Sequence, residues 1–448
     1  MSAPTTNIPV AIPAGASSGA PGTQPPRTIA GSLSGSLSGG VPGARGIAGR
    51  LLHGTPGRMR LFGLLGVIAA VLLGAVSANA LLASQAAVER AANNTAQVVR
   101  AQSIHVDLLR ADAVATNAFL VGGLESAESR ARYEAAMSRV ASGIATAAAA
   151  QPADGKALGV LAERVQTYAA LVEQARSNNR LGLPVGAQYL TQASAGLRAD
   201  AIPIVTQVVK ANEDRSSKEF DRSNSSLQLL VGVLSLIGLV ALAVWLAKRT
   251  HRYLNPSLTG AIALLLVALF VTATTITGIG RATRAVALGD FQSAVTLANI
   301  TTAANDARAN ESLTLIKRGS GAANETSWKT DRTDVDTDLD RLQDATLISL
   351  WGDYVASHQK VRSLDDGGRW DDAVKLSTST ATDGAAKTFG DFDVAVTKAR
   401  DDAGKTTVTN LQGQGGSAPL LAVVVALVAL AASWLVVRGI GQRIEEYR

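Results

Sequence analysis

Leu61-Phe-Gly-Leu-Leu-Gly66-Val-Ile-Ala-Ala70-Val-Leu-Leu-Gly74-Ala-Val-Ser-Ala78-Asn-Ala80-Leu-Leu82 contains no Asp, Glu, Lys or Arg. A run of that length and composition is long enough to cross ~30 Å of hydrocarbon as a helix, the one open-ended backbone form that satisfies its own hydrogen bonds in lipid. Three further uncharged stretches of the same kind follow at 227–247, 257–279 and 418–437. Between the first pair lies the polar segment 83–226, and between the second pair the polar segment 281–417, so the chain is built twice. The expected fold is an all-α membrane protein with four transmembrane helices and two tandem extracytoplasmic four-helix bundles. Ala78 and Ala80 imitate a signal-peptide cleavage site, but about 60 residues precede the stretch and residues 257–279 play the same part in the second half. The first span is therefore expected to be retained.

The net charge of +6 is informative only once it is sorted by position. Arg27, Arg45, Arg50, Arg58 and Arg60 precede the first span with no acid among them; Lys248, Arg249 and Arg252 lie in the short link 248–256; Arg438, Arg443 and Arg448 lie in the tail 438–448. The two long segments hold the other 31 of 42 basic and 34 of 36 acidic residues, so they are slightly acidic. By the positive-inside rule the termini and the link face the cytoplasm of a multi-pass plasma-membrane protein, and both bundles lie outside. No basic groove interleaved with aromatics is present, which argues against nucleic acid as a partner. Residues 1–57 carry eight of the thirteen prolines and no Phe, Tyr or Trp, the composition of a disordered cytoplasmic tail.

Helical periodicity runs through both polar segments. Ile104, Leu108, Ala111, Ala115 and Phe119 recur at three- and four-residue steps, as do Leu158, Leu161, Val165, Tyr168 and Val172. Ile348, Trp351 and Val355, then Phe389, Phe392, Val396 and Ala399, mark buried faces in the second half. Gly122-Gly123, Pro152 to Gly155 and Gly182 to Pro184 break the first segment into about four helices, the even number an up-down bundle needs to return to the membrane. Pro203 falls within the returning helix and predicts a kink there. Asp112-Ala-Val-Ala and Asp306-Ala-Arg-Ala, 194 residues apart, suggest a duplication.

The catalytic inventory is poor, and no enzyme is expected. There is no cysteine, hence no disulfide and no thiolate metal site, and no nucleotide, zinc or cofactor motif. His53 and His251 are near spans; His105 and His358 lie on separate bundles without an evident Ser or Cys companion. Asp331, Asp334, Asp336, Asp338 and Asp340 lack the glycine and bidentate Glu of a calcium loop and read as a solvated helix start. Gly66, Ala70, Gly74 and Ala78 form a small-residue stripe suited either to packing within one chain or to a homodimer. Asp112, Asn117, Asp306 and Glu311 interrupt apolar helices: on the surface they would be inert, whereas facing the bundle interior they would form a polar layer able to bind a solute or shift between packings.

A pair of spans flanking an extracytoplasmic bundle resembles the sensing module of bacterial chemoreceptors and sensor kinases, without the adaptor and kinase domains that follow it there. Leu109-Arg110-Ala111-Asp112 through Phe119-Leu-Val-Gly-Gly123, Ala307-Arg-Ala-Asn-Glu311 through Gly319-Ser-Gly321, and Arg249-Thr-His-Arg-Tyr-Leu-Asn-Pro256 are similar to the GlnX-type four-span proteins of high-GC Gram-positive bacteria. The resemblance covers most of residues 58–448. It implies that the bundles are sensor domains, that an amino-acid-binding lipoprotein docks on them, and that the state passes to a cytoplasmic Ser/Thr protein kinase, protein kinase G. Lys248, Arg249, His251 and Arg252 are then the candidate cytoplasmic relay. The competing reading is a structural or scaffolding protein of the cell envelope.

Overall fold

The computed structural model describes residues 55–121, 125–223, 227–250 and 255–445. Gly122-Gly123, the proline-rich tail up to residue 54, His251 and Arg252 lie outside the described residues. Those described are helical, with no strand among them.

Helix α1, Thr55–Val121, is unbroken over 67 residues, about 100 Å at 1.5 Å per residue. It leads into α2 (Ala127–Ala150), a 3₁₀ turn at Pro152–Asp154, α3 (Gly155–Arg180), α4 (Val185–Gly196), a π-helical turn at Leu197–Ala201, α5 (Ile202–Ser223) and α6 (Leu227–Thr250). The second half comprises α7 (Pro256–Val286), a π-helical turn at Ala287–Phe291, α8 (Gln292–Ile316), α9 (Ala322–Leu342), α10 (Ala345–Asp366), α11 (Trp370–Thr378), α12 (Ala385–Gln412) and α13 (Ala418–Glu445). Local chemistry sets several of these boundaries. Ser126 caps α2 by accepting from Ser129 N at 3.1 Å, and Asp344 caps α10 by accepting from Thr346 N and Leu347 N at 3.0 and 3.1 Å. Asn255 caps α7, with Pro256 in the first turn where its missing N–H costs nothing.

The kink expected at Pro203 takes the form of the π turn one residue before α5 begins. Proline cannot donate to the carbonyl one turn back, and a widened turn is one way of absorbing the lost bond. The second π turn has no proline following it, and nothing in its local sequence explains it.

Among the described residues, four helices are long and apolar enough to cross a membrane: Gly57–Val121, Leu229–Lys248, Pro256–Ile316 and Ala418–Gln442. They pack on one another, with Met59, Ala70, Leu73, Leu239, Leu265 and Val436 in a shared core. Their outward faces present Leu64, Leu72, Ile237, Phe270, Leu430 and Trp434 to the surroundings, an arrangement compatible with a multi-pass membrane protein. The small-residue stripe on α1 is used inside the chain. A Cβ on Gly74 would lie 2.1 Å from Ala429 Cβ, and one on Gly66 would lie 2.8 Å from Leu242 Cδ2. Glycine is what lets α1 and α13 approach so closely.

Beyond the spans are two helical cores. One joins the upper part of α1 to α2–α5 through Ile104, Leu108, Tyr133, Leu161, Tyr168 and Val205. The other joins α8–α12 through Ile300, Trp328, Trp351, Tyr354, Phe389 and Phe392. They are not separate bodies: α1 packs along α8 and touches α11 and α12, and Leu120 of α1 belongs to the second core. Two expectations need correction. Ile348 is 41 % exposed, because the buried face of α10 runs through Leu347, Trp351, Tyr354 and His358, one residue out of phase with it. The Asp331–Asp340 series does not start a helix; α9 begins at Ala322, so these carboxylates occupy its middle and C-terminal half.

Gly74→Ala should lower the thermal midpoint of the detergent-solubilised protein by an overpacking cost of about 1–3 kcal/mol. Adding Ala429→Gly should restore most of it, while Gly278→Ala, which has open space around it, should change little. Equal midpoints for Gly74→Ala and wild type would show that α1 and α13 do not meet as described.

Candidate functional site

Helices α1 and α8 bring a row of polar side chains to the seam between the two cores. At its lower level, Arg110 donates through Nε and Nη2 to Asp393 of α12 at 3.2 and 2.8 Å, and through Nη2 to Thr397 Oγ1 at 2.7 Å. Asn305 of α8 donates to the same carboxylate at 3.2 Å. A bidentate Arg–carboxylate contact is among the stronger polar interactions, and this one ties the first bundle to the second.

Two residues beyond Arg110, the fully buried Asp112 faces the first core. Its carboxylate accepts from Ser194 Oγ (2.6 Å), Tyr168 OH (3.3 Å) and Arg198 Nη1 (2.8 Å). Burial, then the neighbouring Asp112 charge, pushes the Tyr168 hydroxyl well above its ordinary range, so it stays a donor. Arg198 sits on the π turn, and its second terminal nitrogen reaches Asp306 of α8. One guanidinium thus carries a carboxylate from each half, Asp112 and Asp306.

The next layer is built on Glu311, 1 % exposed. It accepts from Ser377 Oγ (2.7 Å) and Tyr354 OH (3.2 Å), pairs with His358 Nδ1 (2.8 Å), and accepts from Arg308, which is itself 3 % exposed. Arg308 also donates to Asn117 Oδ1 of α1 at 3.2 Å and to the Ser377 carbonyl at 2.8 Å. Burial alone would raise the Glu311 carboxyl, but Arg308, His358 and Ser377 outweigh it and bring it down to about 2. Burial likewise opposes charge on His358, yet Glu311 and Glu325 hold its affinity for a proton above the usual imidazole value. Its ring stacks on Trp328 with centroids 3.5 Å apart, and Nε2 lies 3.4 Å from Glu325 Oε2 without hydrogen-bond alignment.

Beside these layers, Asp331 of α9 accepts from Asn310 Nδ2 at 3.0 Å. Burial, then the neighbouring Asp306 carboxylate, pushes it up to about 7. It faces a cleft of about 350 Å³ between the π turn of the first half and α8–α9 of the second.

The sequence singled out Asp112, Asn117, Asp306 and Glu311, and the structure places all four in this seam. Asp112 and Asp306 meet through Arg198, and Asn117 and Glu311 meet through Arg308. Lys248 ends α6 exposed, well away from the seam, and the side chain of Arg249 lies outside the described residues. Sequence reading missed Arg198, Ser377, Glu325 and the partners of His358, and took Asp331 as solvated. Only Arg308, three residues before Glu311 on one helix, carried a readable signal. His105 is a different case: desolvation pushes it down to about 4, so it is a neutral packing group. Among the described residues no three His, Asp or Glu are arranged to hold a metal ion.

Residues 87–221 match the family model described as an actinobacterial sensor domain. That stretch takes in the upper part of α1 and all of α2–α4, and it contains Asp112, Asn117 and Arg198. The match indicates a sensing or signalling role. No curated protein and no solved structure matches the chain.

Two outcomes test the electrostatics. Arg198→Met strands the buried Asp112 carboxylate and should cost about 3–5 kcal/mol of stability, part of which Asp112→Asn in the same chain should return; thermal unfolding in detergent reads both. Asp331 works in the opposite sense. Its folded value lies above its unfolded value, so the folded state holds the proton more tightly and stability contributed by this group falls as pH rises from about 4 to about 7. Asp331→Asn should match wild type near pH 4 and unfold at a higher temperature than wild type at pH 8.

Proposed function

We propose that this chain is a transmembrane signal transducer that relays extracytoplasmic amino-acid availability, through a docked solute-binding lipoprotein, to a cytoplasmic Ser/Thr protein kinase. Both bundles stand outside the membrane, the termini and the link 248–256 inside, and the chain performs no chemical step of its own. The observation that carries this reading is the continuity of α1. One rigid helix is a membrane-length span at Leu61–Leu82 and, about 45 Å further along, the wall of the polar seam at Asp112. A change in how the seam packs must displace that helix, and the displacement arrives at the span as a small shift or rotation. The sensor-domain match, which begins at residue 87 on the same helix, supports a sensory role for the part of α1 beyond the span.

The partner identities rest on the resemblance to GlnX-type proteins, and their chemistry is consistent with the surfaces available. The outer segments are slightly acidic and large enough for a docked protein. The inner pieces are short and basic, with Lys248 exposed at the end of α6, which suits contact with another protein or anionic lipid. A partner that binds one packing of the seam better than the other shifts the population between them, and no other driving force is required.

In a strain lacking this gene, phosphorylation of the kinase's substrates should no longer rise when aspartate or glutamate is added, and an Arg198→Met gene should restore only part of the response. Chemical crosslinking in intact membranes should connect the lipoprotein to residues of 83–226 or 281–417. An undiminished phosphorylation response in the deletion strain would overturn the assignment.

A further inference from the structure

The cleft beside the seam holds an unbalanced set of charges. Asp331 accepts one hydrogen bond, from Asn310, and among the described residues no basic group lies within ion-pairing distance of it. The charged groups around it are Asp306 and Arg198 from across the cleft and Asp334 from its own helix. Arg198 is already committed to Asp112 and Asp306. The opposite fault lies at the other end. Lys317 donates to Asn324 Oδ1 at 2.7 Å and, among the described residues, has no carboxylate partner. Asn324 donates to Asn310 and Asn310 to Asp331, each at 3.0 Å, so two amides hold the lone cation and the lone carboxylate apart across one polar cavity. The Nε–H of Arg198, also at the cleft, is buried with no acceptor.

Asp112, Asp306 and Asp331 are three carboxylates around two cations, Arg198 and the Lys317 held off at the far end, and this leaves room for one more positive charge. We propose that this cleft binds a small solute bearing a primary ammonium group, which sits between Asp331 and Asp306. The inference rests on reading the bundles as sensor input and adds that the chain itself recognises a ligand. A divalent metal is a poorer fit, since only two carboxylates and an amide converge. Water satisfies hydrogen bonds but leaves the charge uncompensated. The walls come from both halves of the chain, and Asp306 is shared with Arg198. Filling the cleft therefore strengthens the junction through which the two bundles are joined.

The test is calorimetry on the full-length protein in detergent at pH 7.5, with putrescine and L-alanine as ammonium-bearing probes and 1,4-butanediol and propionate as matched compounds lacking the ammonium. Saturable binding is expected for at least one ammonium probe and for neither control. Asp331→Asn, which folds at least as stably, should weaken binding about tenfold or more, the worth of one charge-assisted hydrogen bond. Lys317→Met assigns the other end of the ligand. Loss confined to L-alanine marks an occupant with a carboxylate; equal binding of both probes by the variant marks a simple amine. Absence of saturable heat from both ammonium probes, or undiminished binding by Asp331→Asn, overturns the proposal. Either result leaves the lipoprotein relay standing, because that is read from phosphorylation in the deletion strain.

Discussion

Helix α1 must satisfy three surroundings along one unbroken backbone, and the rest of the architecture is arranged to let it. At its start it lies among three other apolar helices, with Gly66 and Gly74 removing the side chains that would hold α13 away. Further on, from about Ala101 to Ala115, it supplies the central wall of the first core, and at Leu120 it contributes to the second. A helix enclosed on so many sides cannot show the one-faced amphipathicity of a surface helix, and its polar residues are therefore buried rather than solvated. Each buried polar group then demands a partner, because an unmade hydrogen bond in the interior costs more than a made one contributes. Asp112 draws Tyr168, Ser194 and Arg198 to itself, and Asn117 draws Arg308. The polar seam is a consequence of asking one helix to be both span and shared wall.

Those polar layers fall into two grades of burial, and the difference bears on which part of the structure can move. Inside the second bundle, Glu311 and Arg308 are 1 % and 3 % exposed and, besides each other, are held by four side chains and a carbonyl. Between the bundles, Arg110 and Asp393 are 18 % and 19 % exposed, and Arg198 and Asp306 are each 25 % exposed. Breaking a fully buried pair leaves a stranded charge at a cost of about 3–5 kcal/mol, whereas in a part-buried pair water can take up some of the lost interaction. The interiors of the bundles are thus fixed, and the junction between them yields first. A switch requires that ordering: two rigid parts with a contact whose alternatives differ by little.

The sequence made the membrane plan legible because length, hydropathy and charge asymmetry are local properties. Spans at 61–82, 227–247, 257–279 and 418–437 all fall within helices of the structure. The breaks at Pro152 and Gly182 were equally legible, since backbone restriction acts where the residue stands. Which residues cross a seam was not, because it depends on how two bundles rotate against each other. Asp112 and Asp306 could be noticed as repeated, but Arg198, which joins them, sits 86 residues from one and 108 from the other. Asp331 looked solvated because it belongs to an acidic run in which Asp334 and Asp340 are exposed; its place on α9, turned toward Asn310, is what separates it from them. His358 seemed isolated for the same reason, with Glu311 lying 47 residues away.

The packing of α1 along α8 acquires a physical meaning at Arg198. It brings Asp112 of one helix and Asp306 of the other to the same level of the seam, and two carboxylates there make a like-charge clash. Such a clash is relieved by one shared cation. The π turn at Leu197–Ala201 supplies it, and only the first half has a basic residue placed there. The relief is incomplete, because Asp331 brings a third carboxylate to the junction and the second cation of the cleft, Lys317, is held away from it by Asn324 and Asn310. A site left one positive charge short is under-stabilised when empty and better balanced when a cation arrives, so the free energy of filling it is delivered to the contact that joins the halves. Tenfold preference for one packing is worth about 1.4 kcal/mol, which is small beside the cost of breaking the buried cluster of Glu311. A modest ligand is therefore enough to reset the seam while leaving each bundle folded as it was.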